Sequence, residues 1–388
     1  MKLVLVTAVM TFVAGGAGAA CLVQAPDVAH AGKGCAHAWI DANLKLNDIQ
    51  TVGTHNSYKQ FITPKLYAMI LKANAQAIEI DYGHPSLTDQ LNDGARGLEI
   101  DVAYDPKCGL YAHPLGPKLS GEPVADDYAD RMSRPGYKVL HIQDIDFRSS
   151  CITFVECLTV IRAWSKAHPN HTPISITMNA KDGKSPLPGG ANSIDYDEAA
   201  FDAWDNEIRS VFQPGEVITP DRVQGGYPTL RDAVLADNWP RLKDARGKVF
   251  FALDEDHDKI ALYRGKRRSL EGRMMFVNAG DASEADKPWA AYMTLNEALT
   301  DEAHIRDMVK QGFFVRTRAD SDTKEARAND TRSRTAAFAS GAQVASTDYR
   351  HPEARFGNDY QVRLPRDAIT ICNPVRAAGL CDGATVEP

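Results

Sequence analysis

The 388-residue chain has no internal repeat and no low-complexity stretch, which excludes solenoid and disordered classes. Beyond its first twenty residues it has no apolar run long enough to span a bilayer. It also lacks an excess of positive charge, with 44 Lys and Arg against 51 Asp and Glu and a formal net charge of −7. That balance argues against a nucleic-acid partner, which would want a basic face. It argues equally against a strong electrostatic grip on anionic membranes, so membrane contact would be transient. No cysteine spacing resembles a zinc site, and no glycine-rich phosphate loop follows the first strand-like run. What is present is ordinary globular material, 24% charged and 44% hydrophobic, enough for a full core.

The opening "MKLVLVTAVMTFVAGGAGAA" (1–20) reads as a secretory signal: one Lys, a short apolar run, then small residues before a cut. Cys21 follows at once, which raises a lipoprotein as an alternative, but Gly18 stands where a lipobox carries a larger aliphatic residue. An exported, secreted or periplasmic monomer suits the remaining six cysteines. Short loops suggest Cys151–Cys157 and Cys372–Cys381, leaving Cys35 for Cys108, one of 15 possible connectivities.

A short β-rich run, polar residues and a helical pattern recur along 21–388, which reads as one domain. The runs are "IQTVGTH" (49–55), "GLEIDVAY" (97–104), "KVLHIQD" (138–144), "PISITMNAK" (173–181), "KVFFALDED" (248–256), "RMMFVNAGD" (273–281), "GFFVRTRAD" (312–320) and "AQVASTDY" (342–349). Between them "CLTVIRAWSKAH", "DEAAFDAWDNEIRSVF" and "EAHIRDMVKQG" carry apolar residues at three- and four-residue spacing, as amphipathic helices do. Eight near-continuous apolar strands alternating with helices predict an α/β fold, a closed (β/α)₈ barrel of TIM type with the active site at the strands' C-terminal ends. A doubly wound open sheet is the rival. Segments 105–137 and 182–247 are expected as rim insertions, and the tail after 350 as a disulfide-stapled outer layer.

The strand ends collect one kind of chemistry. His55 and Asn56 close the first run, Glu99 and Asp101 the second, His141 the third, and Asn179 and Lys181 the fourth. Later runs add Asp254, Arg316 with Arg318, and Asp348 with Tyr349. Alternate residues of a strand share a face, so Glu99 and Asp101 point the same way. Two carboxylates and two amides, all oxygen donors, suit a hard cation such as Ca²⁺ rather than zinc. Two histidines beside such an ion fit phosphoryl chemistry. His113 competes with His141, but it precedes Pro in an expected loop; His37, His168, His171 and His257 read as surface residues.

The ordered series "THNSY", "GARGLEIDV", "GYKVLHIQDIDFRSSC", "AHPNHTPISITMNAKD", "GFFVRTRADSDTKEARANDTRS" and "SGAQVASTDY" resembles the calcium-dependent phosphoinositide-specific phospholipases C, in their secreted bacterial and fungal branch, over about 45–350. The resemblance implies a distorted TIM-type barrel and a phosphatidylinositol-type substrate. It makes His55 the stabiliser of the pentacovalent transition state and His141 the acid for the leaving glycerol oxygen. It implies Asn56, Glu99, Asp101 and position 179 as Ca²⁺ ligands, with Lys181, Arg316 and Tyr349 on the head group. The inositol 2-hydroxyl would attack phosphorus, releasing diacylglycerol and inositol 1,2-cyclic phosphate.

One departure stands out: Asn179 occupies the place of the family's usual Glu on the fourth strand. An amide brings no charge and cannot act as a base, and lower ligand charge weakens Ca²⁺ binding. Asp254, in the acidic run "LDEDHD", is a candidate for the missing charge, with a solvated loop as the plainer account. The alternatives are a glycerophosphodiester phosphodiesterase-like hydrolase on the same barrel, or a degenerate protein that binds inositol phosphates without turnover.

Overall fold

The computed structural model describes residues 21, 24, 25 and 27–387; the expected signal segment 1–20 lies outside the described residues. The strands are β1 (Ile49–Thr54), β2 (Gly97–Ala103), β3 (Lys138–Val139), β4 (Ile174–Lys181), β5 (Val249–Leu253), β6 (Met275–Val277), β7 (Tyr292–Thr294), β8 (Phe314–Arg318), β9 (Val344–Thr347) and β10 (Thr370–Cys372). Eight of them run parallel in the order β6-β5-β4-β2-β1-β9-β8-β7. A parallel bridge between Asn278 and Tyr292 joins the two ends, so the sheet closes almost completely into a TIM-type barrel.

The count of eight matches the expectation, but one member differs. The run 138–144 is not a barrel strand: β3 is two residues long and pairs antiparallel with β2. Its apolar character serves a rim cluster instead, where Leu140 packs with Tyr128, Met132, Phe147 and Ile152. The eighth barrel strand is β7, three residues within "AAYMTLNEA" that carry no alternation and no turn signal.

Strand and helix patterns explain the walls. On β2, Leu98, Ile100 and Val102 face outward into a core that includes Phe154, Leu158 and Ile161 of the helix Phe154–Ala167. Those residues and Trp164 recur at three- and four-residue spacing, and burying each large apolar side chain contributes roughly 1.5–3 kcal/mol. Thr153 caps that helix through the Glu156 N–H in a capping box, worth about 1 kcal/mol. Where β1 meets β2, Gly53 and Gly97 approach so closely that a Cβ on Gly53 would stand 2.8 Å from the Gly97 carbonyl oxygen.

Segment 182–247 is only partly rim. From Glu198–Val211 onward it forms outer-layer helices, with Phe201, Trp204 and Ile208 buried in the barrel's main core. The tail after 350 carries the expected Cys372–Cys381 staple and packs against the barrel's N-terminal end. β10 adds antiparallel to the start of β1, and Glu387 is buried against Arg96 and Thr172 at the barrel's N-terminal end. The disulfides are Cys21–Cys35, Cys151–Cys157 and Cys372–Cys381, and Cys108 is free. The expected Cys35–Cys108 pair fails because the two lie at opposite ends of the barrel. Cys35 sits on the helix Lys33–Asn43 before β1, while Cys108 follows the C-terminal end of β2. No helix among the described residues is long and apolar enough to cross a membrane.

Candidate active site

At the C-terminal ends of the strands, His55, Asn56, Glu99, Asp101, His141, Asn179 and Lys181 line one cleft of about 370 Å³, together with Asp182, Asp254 and Glu255. The turn after β1 builds its first wall. Asn56 adopts φ 47°, a left-handed conformation that asparagine tolerates better than most residues. That turn is pinned by Ser57, whose Oγ accepts from the Glu99 N–H at 2.8 Å while its own N–H donates to the Glu99 carbonyl at 2.9 Å. "HNS" is therefore a site followed by its anchor: His55 and Asn56 reach the cleft, and Ser57 ties β1 to β2.

Each histidine is backed by a carboxylate. His55 Nδ1 lies 2.8 Å from Asp348 Oδ1, and its Nε2 faces Glu99 Oε1 at 3.7 Å. Asp348 is positioned by strand register, since Thr54 pairs with Thr347 and the next residues of both strands fall together. Its other oxygen accepts from Arg318 Nη2 at 3.0 Å, and its N–H donates to Asp320 at 2.9 Å. Burial, and then the Arg318 charge, hold the His55 imidazole well below the ordinary histidine range. His141 Nδ1 lies 2.8 Å from Asp146 Oδ2, within the short loop that replaces the expected third strand. Asp146 is in turn 3.3 Å from the fully buried Lys59. The sequence reading gave Asp146 and Lys59 no role and noted Asp348 only as a strand end. The adjacency of the first and last barrel strands was the available signal for Asp348; for Asp146 there was none beyond its spacing from His141.

Between the histidines sit the oxygen donors. Asn179 Nδ2 donates to Glu99 Oε1 and to Asp101 Oδ1, each at 3.0 Å, so the amide bridges the two carboxylates. Asp101 Oδ2 also accepts from Tyr58 Oη at 2.9 Å and lies 3.2 Å from Lys181 Nζ. Burial alone would raise the Asp101 carboxyl, but Lys181 and these hydrogen bonds outweigh it and leave it below the ordinary range. Glu99 is held by Arg316 Nη2. Burial raises Asp254, against the pull of Arg316, and raises Glu255 to about 7, against Lys259.

Arg316 and Tyr349 are placed differently from the expectation. Arg316 is 3% exposed and is engaged by Glu99 and by Asn296 Oδ1 at 2.6 Å, so it braces a carboxylate rather than reaching into the cleft. Tyr349 is 4% exposed and packs on Phe356 and Tyr360, outside the cleft. Its neighbour Asp348 faces His55, and successive residues of an extended chain point oppositely. His113 is exposed beside a separate cavity with Leu140 and Asp144. His171 is buried rather than on the surface, 2% exposed against Trp164, and burial pushes its pKa down to about 4.

The residues fit a hard cation on one observation above others. Asn56 Oδ1 is buried and has no hydrogen-bond partner among the described residues, although its amide nitrogen donates to Tyr82 Oη at 2.7 Å. A buried carbonyl oxygen left unpaired costs about 1–3 kcal/mol unless something binds it. Asn56 lines the same cleft as two carboxylates and an amide, a donor set of oxygens. Among the described residues no group of three or more His, Cys, Asp or Glu side chains is arranged to hold a metal ion; Arg316 and Lys181 are folded onto the carboxylates instead.

The family model for phosphoinositide phospholipase C, Ca²⁺-dependent, matches residues 44–374. No curated protein matches. Among solved structures, the chain is similar to a calcium-dependent phosphoinositol-specific phospholipase C from the Gram-negative bacterium Pseudomonas sp. The identity is 18% and the TM-score 0.50, over 80% of this chain and 94% of that one. A Ca²⁺-dependent phosphatidylinositol-specific phospholipase C from Streptomyces antibioticus is 21% identical with a TM-score of 0.48, over 78% of this chain and 94% of that one. The chain belongs to the Ca²⁺-dependent phosphoinositide phospholipase C family.

Proposed function

We propose that this protein is a secreted phosphodiesterase that cleaves phosphatidylinositol-type lipids at a membrane surface. The products would be diacylglycerol and inositol 1,2-cyclic phosphate. The observation that carries the reading is the convergence of His55 and His141 on one cleft, each with its Nδ1 on a buried carboxylate.

Asn56, Glu99, Asp101 and Asn179 would hold the calcium ion, the last after a half-turn of its amide presents oxygen. Bound there, Ca²⁺ supplies electrostatic stabilisation of phosphoryl oxygens and lowers the pKa of the attacking hydroxyl. The chain's own groups do the rest. Asp146 fixes the His141 ring and stabilises its imidazolium, which leaves Nε2 to donate a proton to the departing glycerol oxygen. Asp348 fixes the His55 ring through Nδ1 and would stabilise the imidazolium that must form for Nε2 to donate to the phosphoryl group. Lys181, 30% exposed at its side chain, is placed to meet a ring hydroxyl or phosphate. Because the nucleophile belongs to the substrate, binding the head group supplies the proximity term. The three disulfides accord with an exported protein. A second reading, an inositol-phosphate binder without turnover, draws on Asn179 as the uncharged member of the ligand set.

The leaving group provides the test. His141→Ala should lose about 10²-fold or more in kcat on phosphatidylinositol vesicles. It should stay within about tenfold of the unsubstituted protein on an inositol phosphodiester of p-nitrophenol, whose phenolate leaves without an acid. Equal losses on both substrates would remove His141 from the acid role, and no turnover of either by the unsubstituted protein would favour the binder.

A further inference from the structure

We propose that Asp254 is the third carboxylate of the cation site, supplying from β5 the charge that Asn179 does not bring from β4. The inference rests on the calcium-dependent reading above and extends it by one ligand.

The charges around the cleft motivate it. Glu99 is paired with Arg316, and Asp101 with Lys181, so these four groups sum to zero. A dication approaching them meets two carboxylates whose fields are already offset. Glu255 and Asp182 share Lys259, at 2.9 and 3.0 Å. Of the five carboxylates that line the cleft, only Asp254 makes no ion pair among the described residues. Neutral donors hold it: Asn278 Nδ2 at 2.8 Å and the Thr294 hydroxyl. A half-buried carboxylate fixed in place with no ion-pair partner is costly, and a cation in the cleft offsets that cost.

Register places it correctly. Thr177 pairs with Ala252 and Met178 with Leu253, and the Asp254 N–H donates to the Met178 carbonyl at 2.8 Å. Asp254 therefore stands beside Asn179 at the mouth end of the neighbouring strand, on the same face. An independent observation points to a ligand in this cleft: Asn56, a lining residue only 2% exposed, has a side-chain carbonyl oxygen with no hydrogen-bond partner among the described residues. Asp254 and this oxygen belong to one cleft, and a cation held there would satisfy both. Relocating one carboxylate to the adjacent strand keeps the ligand charge while freeing position 179 to be an amide.

Calorimetric titration of the folded protein with CaCl₂, without lipid, tests this. Asp254→Asn should weaken Ca²⁺ binding by about tenfold or more, as loss of a charged ligand does. Asn179→Glu should restore most of that loss in the Asp254→Asn background, and should gain less where Asp254 is present, because the two changes act at one site. Asp254→Ser serves if the isosteric variant fails to fold, as judged by thermal melting in EDTA. If Asp254→Asn binds like the unsubstituted protein while Glu99→Gln weakens binding, Asp254 is not a ligand and the calcium reading stands. If the unsubstituted protein takes up no Ca²⁺, both fall.

Discussion

Asp348→Asn separates the chemistry of the cleft from its architecture. The Asp348 side chain is 1% exposed and cannot touch a substrate, yet both its oxygens are engaged, by His55 at 2.8 Å and Arg318 at 3.0 Å. Removing its charge would normally leave Arg318 as an uncompensated buried cation, a loss of about 3–5 kcal/mol. Here Asp320 moderates the loss. Burial, and then the Asp348 charge, hold its carboxyl up at about 7, and it lies close enough to feel Arg318. Once Asp348 is neutral, Asp320 ionises more readily and takes over as the counter-charge, so the stability cost should be nearer about 2 kcal/mol. Activity has no such substitute. An amide neither enforces the Nδ1–H tautomer of His55 nor stabilises a positive ring, and comparable losses are about 10²–10⁴ in kcat, or about 3–5.5 kcal/mol. Steady-state kinetics on phosphatidylinositol vesicles, with urea unfolding in parallel, should show kcat falling by that factor with KM little changed. A folded variant whose kcat stays within about threefold would refute the assignment of Asp348 as the group that positions His55.

Two other expectations concern the scaffold. Burial raises the Glu207 carboxyl to about 7 from 4.5, so the folded state keeps a proton that the unfolded chain releases, and stability falls as pH rises from about 4.5 to 7. Glu207→Gln keeps an oxygen for the Tyr137 N–H and should gain up to about 3 kcal/mol relative to the unsubstituted protein between pH 4 and pH 8 by urea unfolding; equal differences at both pH values would contradict it. Maleimide labelling of denatured, unreduced protein should modify Cys108 alone, and a label on Cys35 would reopen the pairing.

Much of the barrel was legible because its strands are buried on both faces and read as apolar runs. The parity rule correctly placed Glu99 and Asp101 together, and the strand ends correctly grouped His55, Asn56, Asn179 and Lys181 with them. The misplacements have physical causes. "KVLHIQD" is apolar for the sake of the rim, not the barrel, whereas β7 is too short to show a period. Arg316 looked like a free cation at a strand end, and nothing local reveals that Glu99, on a strand three places away around the barrel, engages it. Tyr349 follows a residue that faces the site, and its own direction depends on where β9 stops. The carboxylates behind the histidines are long-range contacts in one case, 293 residues apart for His55 and Asp348, and loop geometry in the other.

The central claim is that one cleft carries out calcium-dependent cyclisation of an inositol phosphodiester. ³¹P NMR of the purified protein acting on phosphatidylinositol, with and without EDTA, reads this directly. The account predicts a five-membered cyclic phosphate resonance that appears first and is abolished by chelation. A linear phosphomonoester as the sole initial product, or undiminished turnover in EDTA, would contradict it.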